Sequence, residues 1–293
     1  MIDEMLLIAD SGSTKTSWLL RREGREDICF ESRGVNPVRD DAAVIAGVVS
    51  GVASTLVSYL AVEPEFRGTG CWASALRVFF YGAGCIEPFK GAVARALRES
   101  FAGAQVVVES DLLGAARALC GHSEGLACIL GTGSNSCLYD GRDIVANVAA
   151  LGWILGDEGS GSVLGRRLVS DALKGELGDD LRASFLERFS LTPSEIIDRV
   201  YRQPQANRFL ASLVPFLVEN RSEMRIHELI IDSFRSFLCR NVKKYNRADL
   251  PVNFVGGVAW QFADELAEVV EQEGFTMGRV ERSPILLMAA YHS

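Results

Sequence analysis

The 293-residue chain opens the same short pattern twice, about 120 residues apart, and that repeat limits its fold more than any other feature. Met5 to Ala9, Ser17 to Arg21 and Asp27 to Ser32 read as three closely spaced strands, separated by the turn residues Ser11-Gly12-Ser13 and Glu23-Gly24-Arg25. Gly125 to Leu130, Ser136 to Tyr139 and Asp143 to Val148 begin it again. Gly12-Ser13-Thr14-Lys15-Thr16-Ser17 can be set beside Gly133-Ser134-Asn135-Ser136 with a two-residue gap. Each half then has a small, hydroxyl-rich turn between its first and second strands. Connections this short imply antiparallel meanders. A period this long indicates duplicated domains, since solenoid units run to ~20–50 residues.

The first meander is followed by a helix at Ala42 to Leu60, an apolar strand at Leu76 to Tyr81, a helix at Phe89 to Ser100, a strand at Gln105 to Glu109 and a helix at Leu112 to Cys120. The order is βββαβαβα. In the second half the pattern turns helical from Glu158 to Tyr245, with segments at Val163 to Leu173, Asp180 to Phe189, Pro193 to Tyr201, Gln205 to Val218 and Glu223 to Tyr245. A strand at Val252 to Val255, a helix at Val258 to Gln272, a strand at Phe275 to Val280 and a last helix from Pro284 complete the chain. The sequence therefore predicts an α/β protein of two domains, 1–118 and 119–293. The second carries a helical insertion at about 158–246 and a terminal helix able to pack back on the first.

Charge and cysteine usage exclude whole classes of function. Thirty basic against 38 acidic residues leave a net charge of −8, so no global field draws the chain to nucleic acid or anionic lipid, and a small molecule is the expected ligand. Seven scattered cysteines without a C-x-x-C spacing point away from disulfides and structural zinc and towards the cytoplasm. Met1-Ile-Asp-Glu lacks the basic start of a signal peptide. Ala42 to Val62 is uncharged and long enough to cross a bilayer. However, Ser50, Ser54 and Ser58 fall every fourth residue while Ile45, Val48, Val52, Leu56 and Leu60 take other faces, as in a soluble helix packed on a sheet.

Glycine turns and acids carry the candidate chemistry. Asp10-Ser11-Gly12-Ser13-Thr14-Lys15 follows a buried strand, where backbone N–H groups can approach a phosphate and Asp10 can hold Mg²⁺ through water; an ordinary hairpin turn uses the same residues. Leu130-Gly131-Thr132-Gly133-Ser134-Asn135 is a second such turn, and two facing loops of this kind could clamp a triphosphate across an interdomain cleft. Gly256-Gly257 offers either a surface for a nucleoside base or a close helix packing. Asp111, after a strand and before an apolar helix, reads equally as a helix N-cap and as a general base for a hydroxyl. Gly152-Trp153-Ile154-Leu155-Gly156-Asp157-Glu158-Gly159-Ser160-Gly161 could present Trp153 and Asp157 to a sugar, or could be a core tryptophan beside a glycine turn.

Taken together, Asp10-Ser-Gly-Ser-Thr-Lys-Thr, Leu130-Gly-Thr-Gly-Ser-Asn, the Gly152 to Gly161 segment and Phe254-Val-Gly-Gly-Val resemble the N-acetylglucosamine kinase and BadF/BadG-type ATPase family of the actin-like ATPase and sugar kinase superfamily. The resemblance implies two ribonuclease H-like domains closing on a cleft, and transfer of the γ-phosphate of ATP, with Mg²⁺, to an amino-sugar hydroxyl at C6. It places Asp10 at the metal, Gly12, Ser13, Thr14, Lys15, Thr132, Gly133 and Ser134 at the phosphates, and Gly256 and Gly257 at the nucleoside. It makes Asp111 the base and puts Asn36, Asn135, Gly152, Trp153 and Asp157 around the sugar. A homodimer is common in such families. Two other readings remain at this point: an ATPase activator of a 2-hydroxyacyl-CoA dehydratase, and a non-catalytic sugar or nucleotide sensor.

Overall fold

The computed structural model describes residues 4–12, 14–61 and 72–293, so the readings placed on 1–3, Ser13 and Val62 lie outside the described residues. The chain divides into two compact units, Met1–Gly121 with Pro284–Ser293, and His122–Ser283.

In the first unit, β1 (Met5–Ser11), β2 (Lys15–Arg22) and β3 (Ile28–Arg33) form the expected antiparallel meander. Next come α1 (Ala42–Leu60), a 3-10 turn at Trp72–Ala75, β4 (Leu76–Gly82), α2 (Lys90–Ser100), β5 (Gln105–Ser110) and α3 (Asp111–Cys120). The sheet runs β3-β2-β1-β4-β5, with β1, β4 and β5 parallel. β1 is the middle strand, and its run of Met5, Leu6, Leu7, Ile8 and Ala9 is buried throughout, as a strand covered on both faces requires. Helix α1 starts at Asp41, whose side chain accepts the Val44 N–H. It buries Ile45, Val49, Val52, Leu56 and Leu60 in one core with Leu7, Ala9 and Leu20 of the sheet. Ser50, Ser54 and Ser58 lie on its exposed face. The segment tested as a membrane span is thus a helix packed on a sheet.

The second unit repeats the plan. β6 (Glu124–Leu130), β7 (Ser134–Asp140) and β8 (Ile144–Asn147) form its meander. The insertion comprises α4 (Gly152–Leu155), α5 (Gly161–Lys174), α6 (Asp179–Phe189), α7 (Pro193–Tyr201), α8 (Ala206–Ala211), α9 (Val214–Glu219), α10 (Met224–Arg240) and a 3-10 turn at Val242–Tyr245. β9 (Pro251–Val255), α11 (Gly257–Gln261), α12 (Ala263–Gln272) and β10 (Thr276–Glu281) follow. Its sheet order, β10-β9-β6-β7-β8, is that of the first unit with β6 in the place of β1. The protein is therefore α/β, built of two ribonuclease H-like domains.

Two helices expected to be continuous are each divided into two α-helices, and the segment Glu223 to Tyr245 ends in the 3-10 turn after α10. Gln205 to Val218 becomes α8 and α9, because Pro215 lacks an N–H and belongs to a helix's first turn. Val258 to Gln272 becomes α11 and α12, broken at Phe262 (φ −115°, ψ 35°), whose ring is buried 6.1 Å from that of Phe234.

The last helix, α13 (Ile285–His292), packs on α3, β1 and β2 of the first unit. Met288 and Ala289 are buried there with Leu6, Ile8, Leu19 and Tyr81. His292 stacks on Phe79 at 3.6 Å between centroids and its Nε2 lies 2.7 Å from the Tyr81 hydroxyl, which also accepts from Arg117 at 2.9 Å. Burial, with Arg117 and Arg77 nearby, pushes His292 down to about 4, so the ring is neutral at neutral pH. A Cβ on Gly114 would lie 2.5 Å from Met288 Cε and 2.6 Å from Tyr81 Cγ, so only glycine lets α3 sit this close.

Candidate active site

Two acids stand at one end of the first sheet. Asp10, one residue before the end of β1, lies beside Tyr81 of β4, which in turn pairs with Glu109 of β5, and Asp111 opens α3 two residues beyond. Removal from water is the largest cause raising both carboxyls, Asp10 to about 7 and Asp111 to about 6. The charge of Asp111 raises Asp10 further, and Lys15 opposes this. The helix cap falls one residue before the one considered in the sequence: Ser110 is the N-cap, its hydroxyl accepting the Leu113 N–H at 3.2 Å. Asp111 stands in the first turn, and its carboxylate accepts the Leu112 N–H at 2.9 Å.

The turn after β1 is closed by the Gly12 N–H donating to the Lys15 carbonyl at 3.0 Å. It is bolted to the loop that carries Asn36. The Gly34 N–H donates to the Thr14 carbonyl at 3.1 Å, and a Cβ on Gly34 would lie 2.2 Å from the Gly12 carbonyl oxygen. The Ser11 hydroxyl lies 2.7 Å from that of Thr16 and accepts the Val35 N–H at 3.1 Å. Asn36 accepts the Val38 N–H at 3.0 Å through its side-chain oxygen and donates its own N–H to Asp40 at 2.9 Å. Thr14 is exposed, while Lys15, also exposed, pairs with Glu31 across β2 and β3. Ser13 lies outside the described residues.

In the second unit the turn after β6 is held by backbone bonds. Gly131 donates to the Gly133 carbonyl at 2.9 Å, Gly161 to the Gly131 carbonyl at 2.8 Å, and Ser162 to the Thr132 carbonyl at 3.1 Å. Asp157 reaches the same turn. Its carboxylate accepts the Ser134 N–H, which lowers its pKa, but burial dominates and pushes it up to about 6. A Cβ on Gly133 would be 3.0 Å from Asp157 Oδ2. Asn135 is tied to Asn147, whose Nδ2 donates to its side-chain oxygen at 2.9 Å. Gly152 (φ 75°) faces open space, and half-buried Trp153 packs against the second core. Gly256 (φ 126°) turns the chain out of β9 so tightly that a Cβ would lie 2.3 Å from the Leu130 carbonyl oxygen, and Gly257 then opens α11 with its side-chain position empty. The two glycine turns of this unit thus abut, at the ends of the neighbouring parallel strands β6 and β9. The sequence reading placed a helix here but gave no role to the start of α5, whose N–H groups hold the 131–133 turn and whose N-cap is Ser160. The signal was present in Gly159-Ser160-Gly161, a small-residue cap before an apolar run.

Among the described residues no group of three His, Cys, Asp or Glu side chains could hold a metal ion by itself. Asp10 nonetheless fits one ligand role. It is a desolvated, half-buried oxygen donor near a second acid, and a hard divalent cation that takes its remaining ligands from phosphates and water would offset that charge.

Two matching sheets, each with a glycine turn after its central strand, define a member of the actin-like ATPase and sugar kinase fold. The solved structure of the proposed N-acetylglucosamine kinase of Porphyromonas gingivalis is 44% identical to this chain, with a TM-score of 0.89 and coverage of 98% of both chains. The chain belongs to the N-acetylglucosamine kinase and BadF/BadG-type ATPase family. A proposed N-acetylglucosamine kinase of Chromobacterium violaceum (20% identity, TM-score 0.77, all of both chains) and a glucose-bound glucokinase of Balamuthia mandrillaris (14%, 0.51, 99% of this chain and 93% of the other) share the fold. No protein-family model matches the chain, and neither does any curated protein.

Proposed function

We propose that the protein is an ATP-dependent sugar kinase that transfers the γ-phosphate to an amino sugar, N-acetylglucosamine at its C6 hydroxyl. The observation that carries the reading is the pair of half-buried acids, Asp10 and Asp111, both raised by desolvation, at one end of a sheet whose adjoining turn is built of backbone and small residues. Asp111, uncommitted to capping, accepts the proton of the attacking hydroxyl while its position is held by the rigid start of α3. Asp10 would hold Mg²⁺, which when bound offsets the charge of the phosphates. Gly12, Ser13, Thr14 and Lys15 in the first half, and Thr132, Gly133 and Ser134 in the second, are the phosphate contacts, and Gly256 and Gly257 meet the nucleoside. Asn36 of the first half, and Asn135, Gly152, Trp153 and Asp157 of the second, meet the sugar. The reading includes a cytoplasmic address and a homodimer, the latter open to light scattering.

ADP release measured across N-acetylglucosamine, glucosamine, muramic acid derivatives and glucose tests the reading. N-acetylglucosamine should give the highest kcat/KM. ATP binding with no sugar-dependent ADP release would leave a sensor, and the kinase reading would be wrong.

A further inference from the structure

Helix α5 holds two of the second unit's candidate binding segments. Its first N–H groups bind the carbonyls of Gly131 and Thr132, at 2.8 and 3.1 Å, fixing the phosphate-type turn. One turn later Arg166 donates through NH1 to the carbonyl of Trp153 at 2.9 Å and, more weakly, to that of Ile154 at 3.4 Å. The helix is a rigid base for this. A Cβ at Gly165 would lie 1.9 Å from the Leu210 carbonyl oxygen, so α5 rests directly on the backbone of α8.

Apart from Arg166, the segment is tied across its two ends by backbone, where the Asp157 N–H donates to the Ala150 carbonyl at 3.0 Å. α4 is a single turn closed by the Gly156 N–H donating to the Gly152 carbonyl at 2.8 Å. Leu151 (φ 62°) and Asp157 (φ 52°) hold left-handed backbone on either side of it, a conformation unfavourable for non-glycine residues. Leu151, Ile154 and Leu155 are 64–71% exposed and contribute little packing, which leaves Trp153 as the turn's apolar anchor. Strained backbone persists only where the surroundings determine it, and the guanidinium supplies charge-assisted bonds from outside the segment.

We infer that Arg166 is a positioning residue for the acceptor: it fixes the Gly152–Leu155 turn, and with it Trp153, in the form that receives the sugar. The inference rests on the reading of Trp153 and Asp157 as acceptor contacts. The contacts of Arg166 to the turn are to backbone carbonyls, those of Trp153 and Ile154. Arg166 acts by holding the Trp153 carbonyl, so its loss lowers acceptor affinity and leaves the phosphate turn, held by backbone bonds of α5, in place.

Arg166→Ala and Arg166→Lys are compared with the wild type in two measurements. In the first, hydrogen exchange of the protein without ligand should speed up across 151–157 by about tenfold or more in Arg166→Ala, and by less in Arg166→Lys, which retains one charged donor. In the second, the KM for N-acetylglucosamine should rise about tenfold in Arg166→Ala and partly recover in Arg166→Lys, while the KM for ATP stays within about twofold. Unchanged exchange in Arg166→Ala would overturn the inference, as would faster exchange with an unchanged sugar KM. Equal rises in both KM values would show a general structural role and overturn it too. A wild type that releases no ADP with any sugar would sink the kinase reading instead, and the exchange measurement would still decide whether Arg166 holds the turn. Were Arg166→Ala not to fold, Arg166→Lys carries both measurements, and wild-type values in both would overturn the inference.

Discussion

Asp111 acts on Asp10 through space: one carboxylate stands one residue before the end of β1, the other opens α3, and the second makes the first harder to ionise. A site arranged this way is costly to the folded protein and useful for a reaction that brings in a cation and a hydroxyl.

The cost has a sign. Asp10 titrates at about 7 in the folded protein against 3.8 as a free side chain, so the folded state binds more protons than the unfolded state between those values. The contribution of this group is fully present below pH ~4 and is lost as pH rises through ~7. Asp10→Asn should therefore melt at a higher temperature than the wild type at pH 8 and show little difference at pH 4, while losing Mg²⁺-dependent turnover. Equal melting temperatures at pH 8 would mean that Asp10 bears no such burden.

Catalysis needs the opposite protonation state. With Asp111 at about 6, kcat/KM for the sugar should fall on the acid side of pH ~6, approaching tenfold per pH unit. A profile that stays flat down to pH 4.5 would show that no group of this pKa acts as base.

Asp111→Asn separates the base from its structural setting. Ser110 remains the helix cap and the amide oxygen can still accept the Leu112 N–H, so folding and ATP binding should be close to wild type. An amide accepts no proton, and kcat should drop by about a hundredfold or more. Near-normal kcat in a folded, ATP-binding variant would move the base to Asp157.

Gly256→Ala addresses the nucleotide side. At φ 126° with the Leu130 carbonyl oxygen 2.3 Å from the new Cβ, alanine must displace either the 256–257 turn or the 131–133 turn beside it. ATP affinity should fall together with stability, and Gly257→Ala, where the space is open, should lower stability much less. Calorimetry on both variants checks the contrast.

The repeat was legible because strand alternation and turn chemistry are local, and α1 was legible to its end residues because Asp41 caps an uncharged run. The Ser110–Asp111 cap was not. Both residues are good caps, and the choice depends on how far β5 extends, which is set by the pairing of Ser110 with Gly82 on β4. The meeting of Asp157 with Ser134, and of Arg166 with Trp153, joins residues from different elements, and no periodicity records such contacts. Nor did hydrophobic pattern reveal the break at Phe262, since a buried aromatic suits a helix and its interruption equally well.

Helix α13 sets an order on the making of this protein. The core of Leu6, Ile8, Leu19, Tyr81 and Ala118 is closed by Ile285, Met288 and Ala289, so the half translated first completes its core only with residues translated after the whole of the other half. Until they emerge, the apolar residues of β1, β2 and α3 in this core lack part of their cover, and transiently exposed apolar surface favours aggregation. A frameshift or early stop within residues 285–292 would therefore damage the half that carries Asp10 and Asp111, although the coding lesion lies at the far side of the second sheet.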